Sequence, residues 1–222
     1  IGYVNGEVQE PELLDWLARD LIDHGYDLKH TMALILTSKT YRLPSVSTAP
    51  GSEGPYVFRG PEVRRMTAEQ YLDAVSSLTG AWQEDSQFSV PQRPIKKDET
   101  PPPVTRAWRI KSDPLTRAMG RPNREQVTSR RQSVATALEA VEMTNGQTLA
   151  TLLERGATNL TSRPEQSAEK LVELLYQHAL QRDATDREKE IGAGIIGNPP
   201  TTEGIADLLW ALSMLPEFQL IY

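Results

Sequence analysis

Apolar residues recur at helical spacing in almost every part of this chain that is not a loop. In the segment EGIADLLWALSMLP, for example, Ile205, Leu208, Leu209 and Leu212 fall on one face of a helix. No segment of convincing length alternates apolar and polar residues as a half-buried strand does, and no internal repeat is found. The predicted fold class is therefore all-α.

Capping residues predict where several helices begin. Thr67 and Thr185 each stand three residues before a Gln or Glu, which is the spacing of a capping box. Glycines predict where helices end. Gly156 is expected to end a helix that begins at Gln147, and the glycine-rich residues 192–200 are expected to form a turn.

The segments near the start of the chain predict a helical hairpin. Residues 11–24 (PELLDWLARDLIDH) have a proline in the first turn and are followed by Gly25, while Asp27 is placed to cap a second helix. Because the link is only a few residues long, the two helices are expected to pack antiparallel. The residues of the second helix expected to face inward are Leu28, Met32, Ile35 and Leu36. Further along the chain, Ser133 is expected to cap a helix that runs through Ala135, Leu138, Val141 and Met143.

Domain organisation is predicted from one proline-rich segment. Residues 83–105 carry five prolines and few apolar side chains, which is typical of a long loop and marks a possible internal division. The helices on either side are too few for independent cores, so we predict a single-domain irregular helical array over residues 1–222. The chain begins without Met and without a signal-peptide pattern, so we expect a fragment of a longer protein. No apolar run is long enough to span a membrane.

The sequence lacks the motifs of several classes of catalytic and cofactor-binding site. The absence of cysteine excludes disulfides, thiolate nucleophiles and attachment of c-type haem within this segment. The nucleophile-elbow, Walker A and dinucleotide-binding patterns are also missing. Among the three histidines, His24 and His30 flank the predicted hairpin and could pair, but no third ligand has diagnostic spacing. We therefore predict no catalytic residue, no metal site and no cofactor in this fragment, and whether the chain is part of an enzyme stays open.

Positive charge is concentrated in one stretch. The whole chain has a net charge of −6, yet residues 93–131 contain eleven Lys/Arg and four Asp/Glu, a local net charge of +7. A guanidinium group can donate two parallel hydrogen bonds to a carboxylate, sulfate or phosphate group, and an indole ring can stack against a ligand. The candidate anion-binding residues are Arg121, Asn123, Arg124, Arg130, Arg131, Arg64, Arg65 and Trp108.

A structural role competes with anion binding for these arginines. Arginine also forms interior ion pairs, and pairs of this kind would pin the basic loop to acidic helices; we favour this alternative. Nucleic acid is disfavoured as a partner because the chain is acidic overall and the basic stretch lacks regular aromatic residues.

Three motifs resemble the DUF1553 (PSD1) family of planctomycetes and related bacteria. The first motif is the predicted hairpin, which contains runs similar to the family's P-E-L-L-D-W-L-A (Pro11–Ala18), G-W-D-x-K (Gly25–Lys29) and I-x-x-S-x-T-Y-R (Ile35–Arg42). Tyr26 stands in place of the usual Trp. Arg64–Glu69 resembles its R-R-L-x-A-E helix start. A third stretch, which includes Ala137, Leu138 and Asn145, resembles its S-x-x-Q-A-L-x-L-x-N run.

This resemblance implies a context rather than a mechanism. It implies an exported, periplasmic or cell-envelope multidomain protein, in which upstream DUF1549-like and cytochrome c-like domains precede this one and carry any c-type haem. We therefore expect an accessory interaction module of a larger protein that contributes to binding an anionic ligand such as an acidic polysaccharide. The alternative is that its arginines complete an enzyme active site shared with an upstream domain, for polysaccharide breakdown or redox chemistry.

Overall fold

The computed structural model describes residues 3–4, 7–8, 10–46, 59–82, 104–122, 134–162 and 167–221. Helices dominate these residues, which confirms the all-α prediction. The chain divides into two compact units, an N-terminal unit of residues 1–63 and a C-terminal unit of Arg64–Ile221. Most of the predicted 83–105 loop lies outside the described residues, so the single-domain interpretation stays a prediction. Within the described part, no helix combines the length and the hydropathy needed to cross a membrane.

The N-terminal unit contains the predicted helical hairpin. Helix α1 (Pro11–Asp23) is followed by helix α2 (Leu28–Thr37), and the short strands β1 (Tyr3–Val4) and β2 (Glu7–Val8) pair antiparallel before them. The turn between the helices depends on Gly25 and Tyr26, whose φ angles are 64° and 63°. The carboxylate of Asp27 then accepts hydrogen bonds from the first backbone amides of α2, as predicted.

The prediction that the apolar residues of α2 face inward is wrong. Leu28 is 66% exposed and Met32 is 59% exposed, and neither helix of the hairpin contains a buried residue. A helix buries an apolar stripe only where another element covers it, and two paired helices cover only the seam between them. The apolar faces of α1 and α2 therefore lie at the surface.

The C-terminal unit is built from eight helices within its described residues. In chain order they are α3 (Ala68–Thr79), α4 (Pro114–Ala118), α5 (Ala137–Asn145), α6 (Gln147–Thr161), α7 (Ala168–Leu180), α8 (Asp186–Ile196), α9 (Thr202–Met214) and α10 (Pro216–Gln219). Two-residue strands β3 (Arg64–Arg65) and β4 (Leu220–Ile221) pair antiparallel. The predicted capping boxes at Thr67 and Thr185 are confirmed.

The core of this unit forms where α6 packs along α9, with α3 against α6 and with α7 and α8 against each other. The predicted apolar stripe of α9 is confirmed as buried. Helix α5 buries Met143 and Glu139 and exposes Leu138 and Val141. Thr136 caps this helix rather than Ser133, which lies outside the described residues.

Gly80 and Gly197 end α3 and α8, whereas Gly156 and Gly204 are points of close contact between helices. Gly156 does not stop α6, which continues to Thr161, and a Cβ on Gly156 would lie 2.6 Å from Cγ2 of Thr79 in α3. Gly204 in the first turn of α9 packs on the end of α8, where a Cβ would lie 2.8 Å from the carbonyl oxygen of Ile196. The stretch predicted as a turn is helical up to Ile196.

Arg182 connects the end of α7 to α8 and α10 at the surface through ion pairs. Arg182 follows α7, donates to both carboxylate oxygens of Glu188 in the first turn of α8 (2.9 and 2.8 Å), and donates to Glu217 in α10 (2.8 Å). This arginine and the backbone amide of Thr185 hold the pKa of Glu188 at about 2, below its ordinary value.

Replacing Gly204 by Ala should lower the free energy of unfolding by at least about 2 kcal/mol, because the new methyl group meets backbone carbonyls that cannot move aside. Gly194 in α8 is the matched control, since a Cβ there meets nothing within 4 Å. Gly194→Ala should raise stability by about 0.5–1 kcal/mol through the better helix propensity of Ala. Urea unfolding followed by circular dichroism measures both, and equal effects would contradict the contact argument.

Glu188→Gln should flatten the acid limb of the stability profile. A carboxyl group whose pKa is lowered by folding stabilises the protein above its ordinary pKa, and that contribution is lost as the pH falls towards the folded value. The urea midpoint of the wild type should therefore fall between about pH 5 and about pH 2 more steeply than that of the variant. Glu190→Gln, at an exposed carboxylate of the same helix, should leave the wild-type slope unchanged.

Candidate functional site

Arg121 is held inside the C-terminal unit. It follows α4, and its side chain is 9% exposed. Its Nη2 donates to the backbone carbonyls of Ile110 (2.9 Å) and Trp108 (3.2 Å), while its Nε lies 3.5 Å from a carboxylate oxygen of Glu69 in α3. Its Nη1 is buried and makes no hydrogen bond within the described part of the chain. Arg121 therefore fastens residues 108–110 to α3, as the pinning alternative predicts.

Arg65 forms a two-pronged ion pair with Glu139. Nη1 of Arg65 donates to Oε2 of Glu139 at 3.1 Å, Nη2 donates to Oε1, and the glutamate side chain is only 5% exposed. This contact raises the pKa of the Arg65 guanidinium. Glu139 is the third residue of α5, where a capping-box glutamate would turn back to the N-cap; here it reaches Arg65 instead. The pair joins β3 to α5.

Tyr71 lies in the core near this ion pair. Burial raises the pKa of the Tyr71 hydroxyl to about 12, and the negative charge of Glu139 acts in the same direction. A phenol in this state stays protonated at neutral pH and cannot serve as a base there. Tyr71 and Glu139 are thus buried, whereas the Arg65 side chain is 29% exposed.

The other predicted anion-binding residues are at the surface or outside the described residues. Trp108 is 59% exposed, and the guanidinium of Arg109 lies 5.8 Å from its ring centroid. Arg64 in β3 is exposed. Four candidates lie outside the described residues: Asn123, Arg124, Arg130 and Arg131. The anion site as a whole therefore stays a prediction.

A small open cavity of about 230 Å³ lies in the C-terminal unit between α3, α7 and α10. His178 and Glu217 are its ionisable lining residues, and Glu217 is already bonded to Arg182. Pockets that bind drug-sized ligands usually start at roughly 300 Å³ and are more enclosed. This cavity gives no support for a catalytic centre.

The N-terminal unit brings together three side chains of types that can bind a metal ion. Asp20 lies in α1, His24 follows that helix, and His30 lies in the first turn of α2. Nε2 of His30 is 3.1 Å from Oδ2 of Asp20, and Nδ1 of His24 is 3.4 Å from Oδ1. One ligand atom from each residue lies within 4.8 Å of the others. We call this set the Asp20–His24–His30 cluster.

Asp20 was not predicted as the third group of this cluster. The available signal was its spacing of four residues from His24, which places both side chains on one face of a helix. The short capped turn then returns His30 to the same end of the hairpin. Sequence motifs for metal sites are defined by fixed spacings between ligands, so they do not detect a site whose third residue is brought in by a turn.

The chain matches a known protein family. The family model PSD1, described as a protein of unknown function (DUF1553), matches residues 1–196. The chain belongs to the PSD1 family. This confirms the resemblance seen in the hairpin and Arg64–Glu69 motifs. No curated protein and no solved structure matches the chain.

Arg65→Met should destabilise this PSD1 chain by about 3 kcal/mol, because it leaves the Glu139 carboxylate buried without its charge partner. A second change, Glu139→Leu in the Arg65→Met background, should restore much of the loss, since an apolar pair needs no desolvation of charge. Lys189→Met breaks the exposed pair with Glu173 and should change stability little. Denaturant unfolding distinguishes these cases; no loss in Arg65→Met would show that the pair contributes nothing.

Proposed function

We propose that this chain is an accessory interaction module of a larger exported bacterial protein, and that its α1–α2 hairpin packs against an upstream domain of the same polypeptide. The observation that carries the proposal is the apolar surface of the hairpin. Its exposed large apolar residues are Leu13, Leu14, Trp16, Ile22, Leu28, Met32, Ile35 and Leu36. Single exposed apolar residues are ordinary, but a concentration on two short helices is typical of an interaction surface.

The acidic residues of α1 indicate what kind of surface the partner presents. This helix carries the acidic residues Glu12, Asp15, Asp20 and Asp23 and one basic residue, Arg19. An apolar face beside acidic side chains is complemented by an apolar patch with a basic rim. We therefore expect the upstream domain to present a patch of this composition.

The wider context of the proposal comes from the family. An exported multidomain protein with DUF1549-like and cytochrome c-like upstream domains would carry its c-type haem in the latter. This chain, which has no cysteine, would then support the assembly without binding the haem covalently.

A role for the basic stretch in a shared site is the second candidate. Its support is the net charge of +7 over residues 93–131, which suits an anionic polysaccharide or an active site completed by an upstream domain. Arg65 and Arg121 are engaged in internal contacts and do not strengthen this candidate. It rests on Arg124, Arg130 and Arg131.

Met32→Glu should weaken binding of the separately produced upstream region at least tenfold, because it places a charge in the apolar contact. Ile191→Glu is the matched control: Ile191 is a similarly exposed apolar residue on α8, outside the hairpin, and its change should leave the affinity as it is. Titration calorimetry measures both, and circular dichroism checks that both variants are folded.

Equal affinities for wild type and Met32→Glu would contradict the proposed docking face. A dimer of this chain that appears with rising concentration and disappears in Met32→Glu would assign the face to a second copy instead. Sedimentation velocity of the chain alone detects this outcome.

A further inference from the structure

We propose that the Asp20–His24–His30 cluster is a binding site for a divalent transition-metal ion. The inference is independent of the docking proposal, because it rests on the ligand atoms within one hairpin. Two imidazoles and a carboxylate are a ligand set suited to Zn²⁺ and to its neighbours Co²⁺, Ni²⁺ and Cu²⁺. Mg²⁺ and Ca²⁺ prefer oxygen ligands and are not expected to compete effectively.

The local backbone prepares the cluster for an ion. The backbone amide of Tyr26 donates to the carbonyl of Leu21 at 2.8 Å, and the carboxylate of Asp27 caps α2. These contacts hold the end of α1 and the start of α2 at a fixed separation. Because the turn is already ordered, binding an ion does not require the backbone to lose further freedom.

A hydrogen bond holds the His24 ring in place before an ion binds. Nδ1 of His24 lies 2.8 Å from the backbone carbonyl oxygen of Asp20. A carbonyl oxygen can only accept, so Nδ1 carries the proton in this arrangement, and the bond is given up when the His24 ring turns towards an ion.

Binding must change the orientation of one imidazole. The rings of His24 and His30 stack with centroids 3.8 Å apart and planes inclined by 16°. A ring nitrogen directs its lone pair within the ring plane, so two nearly parallel rings cannot both point at one ion. The His24 side chain is 47% exposed, which leaves it free to turn. Three protein ligands then leave at least one coordination position for water.

The test is titration of the whole 222-residue chain with Zn²⁺ against a chromogenic chelator. We expect one ion per chain, with affinity reduced at least tenfold in each of Asp20→Asn, His24→Gln and His30→Gln. His178→Gln is the matched control, since it removes an exposed histidine from α7, and it should bind as the wild type does. Unchanged affinity in the three cluster variants, or an equal loss in His178→Gln, would overturn the proposal.

A second measurement needs no variant and so does not depend on their folding. In nuclear magnetic resonance spectra of the wild type, added Zn²⁺ should shift the imidazole signals of His24 and His30 and leave those of His178 in place. Co²⁺ in place of Zn²⁺ should give visible d–d absorption from nitrogen and oxygen ligands. Shifts confined to His178, or spread equally over all three histidines, would show non-specific binding and refute the site.

Discussion

Close packing of helices through glycine is the constraint on which the C-terminal unit depends. At Gly156 the helix α6 approaches Thr79 of α3, and at Gly204 the helix α9 lies on the final carbonyls of α8. Each contact leaves no room for a methyl group. Because α6 and α9 also pack along each other, these two glycines set the separation of four helices. The apolar side chains of the core fill the space that this separation leaves.

The starts of the helices with capping boxes and the buried face of α9 followed from local sequence, whereas the inward face predicted for α2 did not. The capping boxes at Thr67 and Thr185 are set by side chain and backbone within four residues, so sequence alone predicts them. Gly156 was wrongly predicted to end a helix, because local propensity does not register a contact with α3. The burial of Glu139 in α5 is likewise invisible to local propensity, because its partner Arg65 is distant in the sequence.

The two sets of candidate residues differ in how far sequence could predict them. Arginine-rich composition indicated the basic stretch, and the structure assigns Arg65 and Arg121 to internal contacts, which only the fold can show. The histidines of the N-terminal unit were noticed without a third ligand. Asp20 lies beside them because one helix turn separates it from His24 and the tight loop brings His30 back to the same end of the hairpin. Neither spacing is specific for a metal site by itself. A site formed by residues on both sides of a turn is therefore harder to predict from sequence than a site formed by one continuous motif.

The proposed metal site and the proposed docking face lie on the same hairpin, which has physical consequences. An isolated pair of helices with exposed apolar faces is weakly stable, because most helical stability comes from covering such faces. The Asp20–His24–His30 cluster joins the end of α1 to the start of α2. An ion held there would cross-link the two helices at that end and favour the ordered hairpin. A partner that binds only the ordered hairpin would then bind more tightly in the presence of the ion, and by linkage the ion would bind more tightly in the presence of the partner.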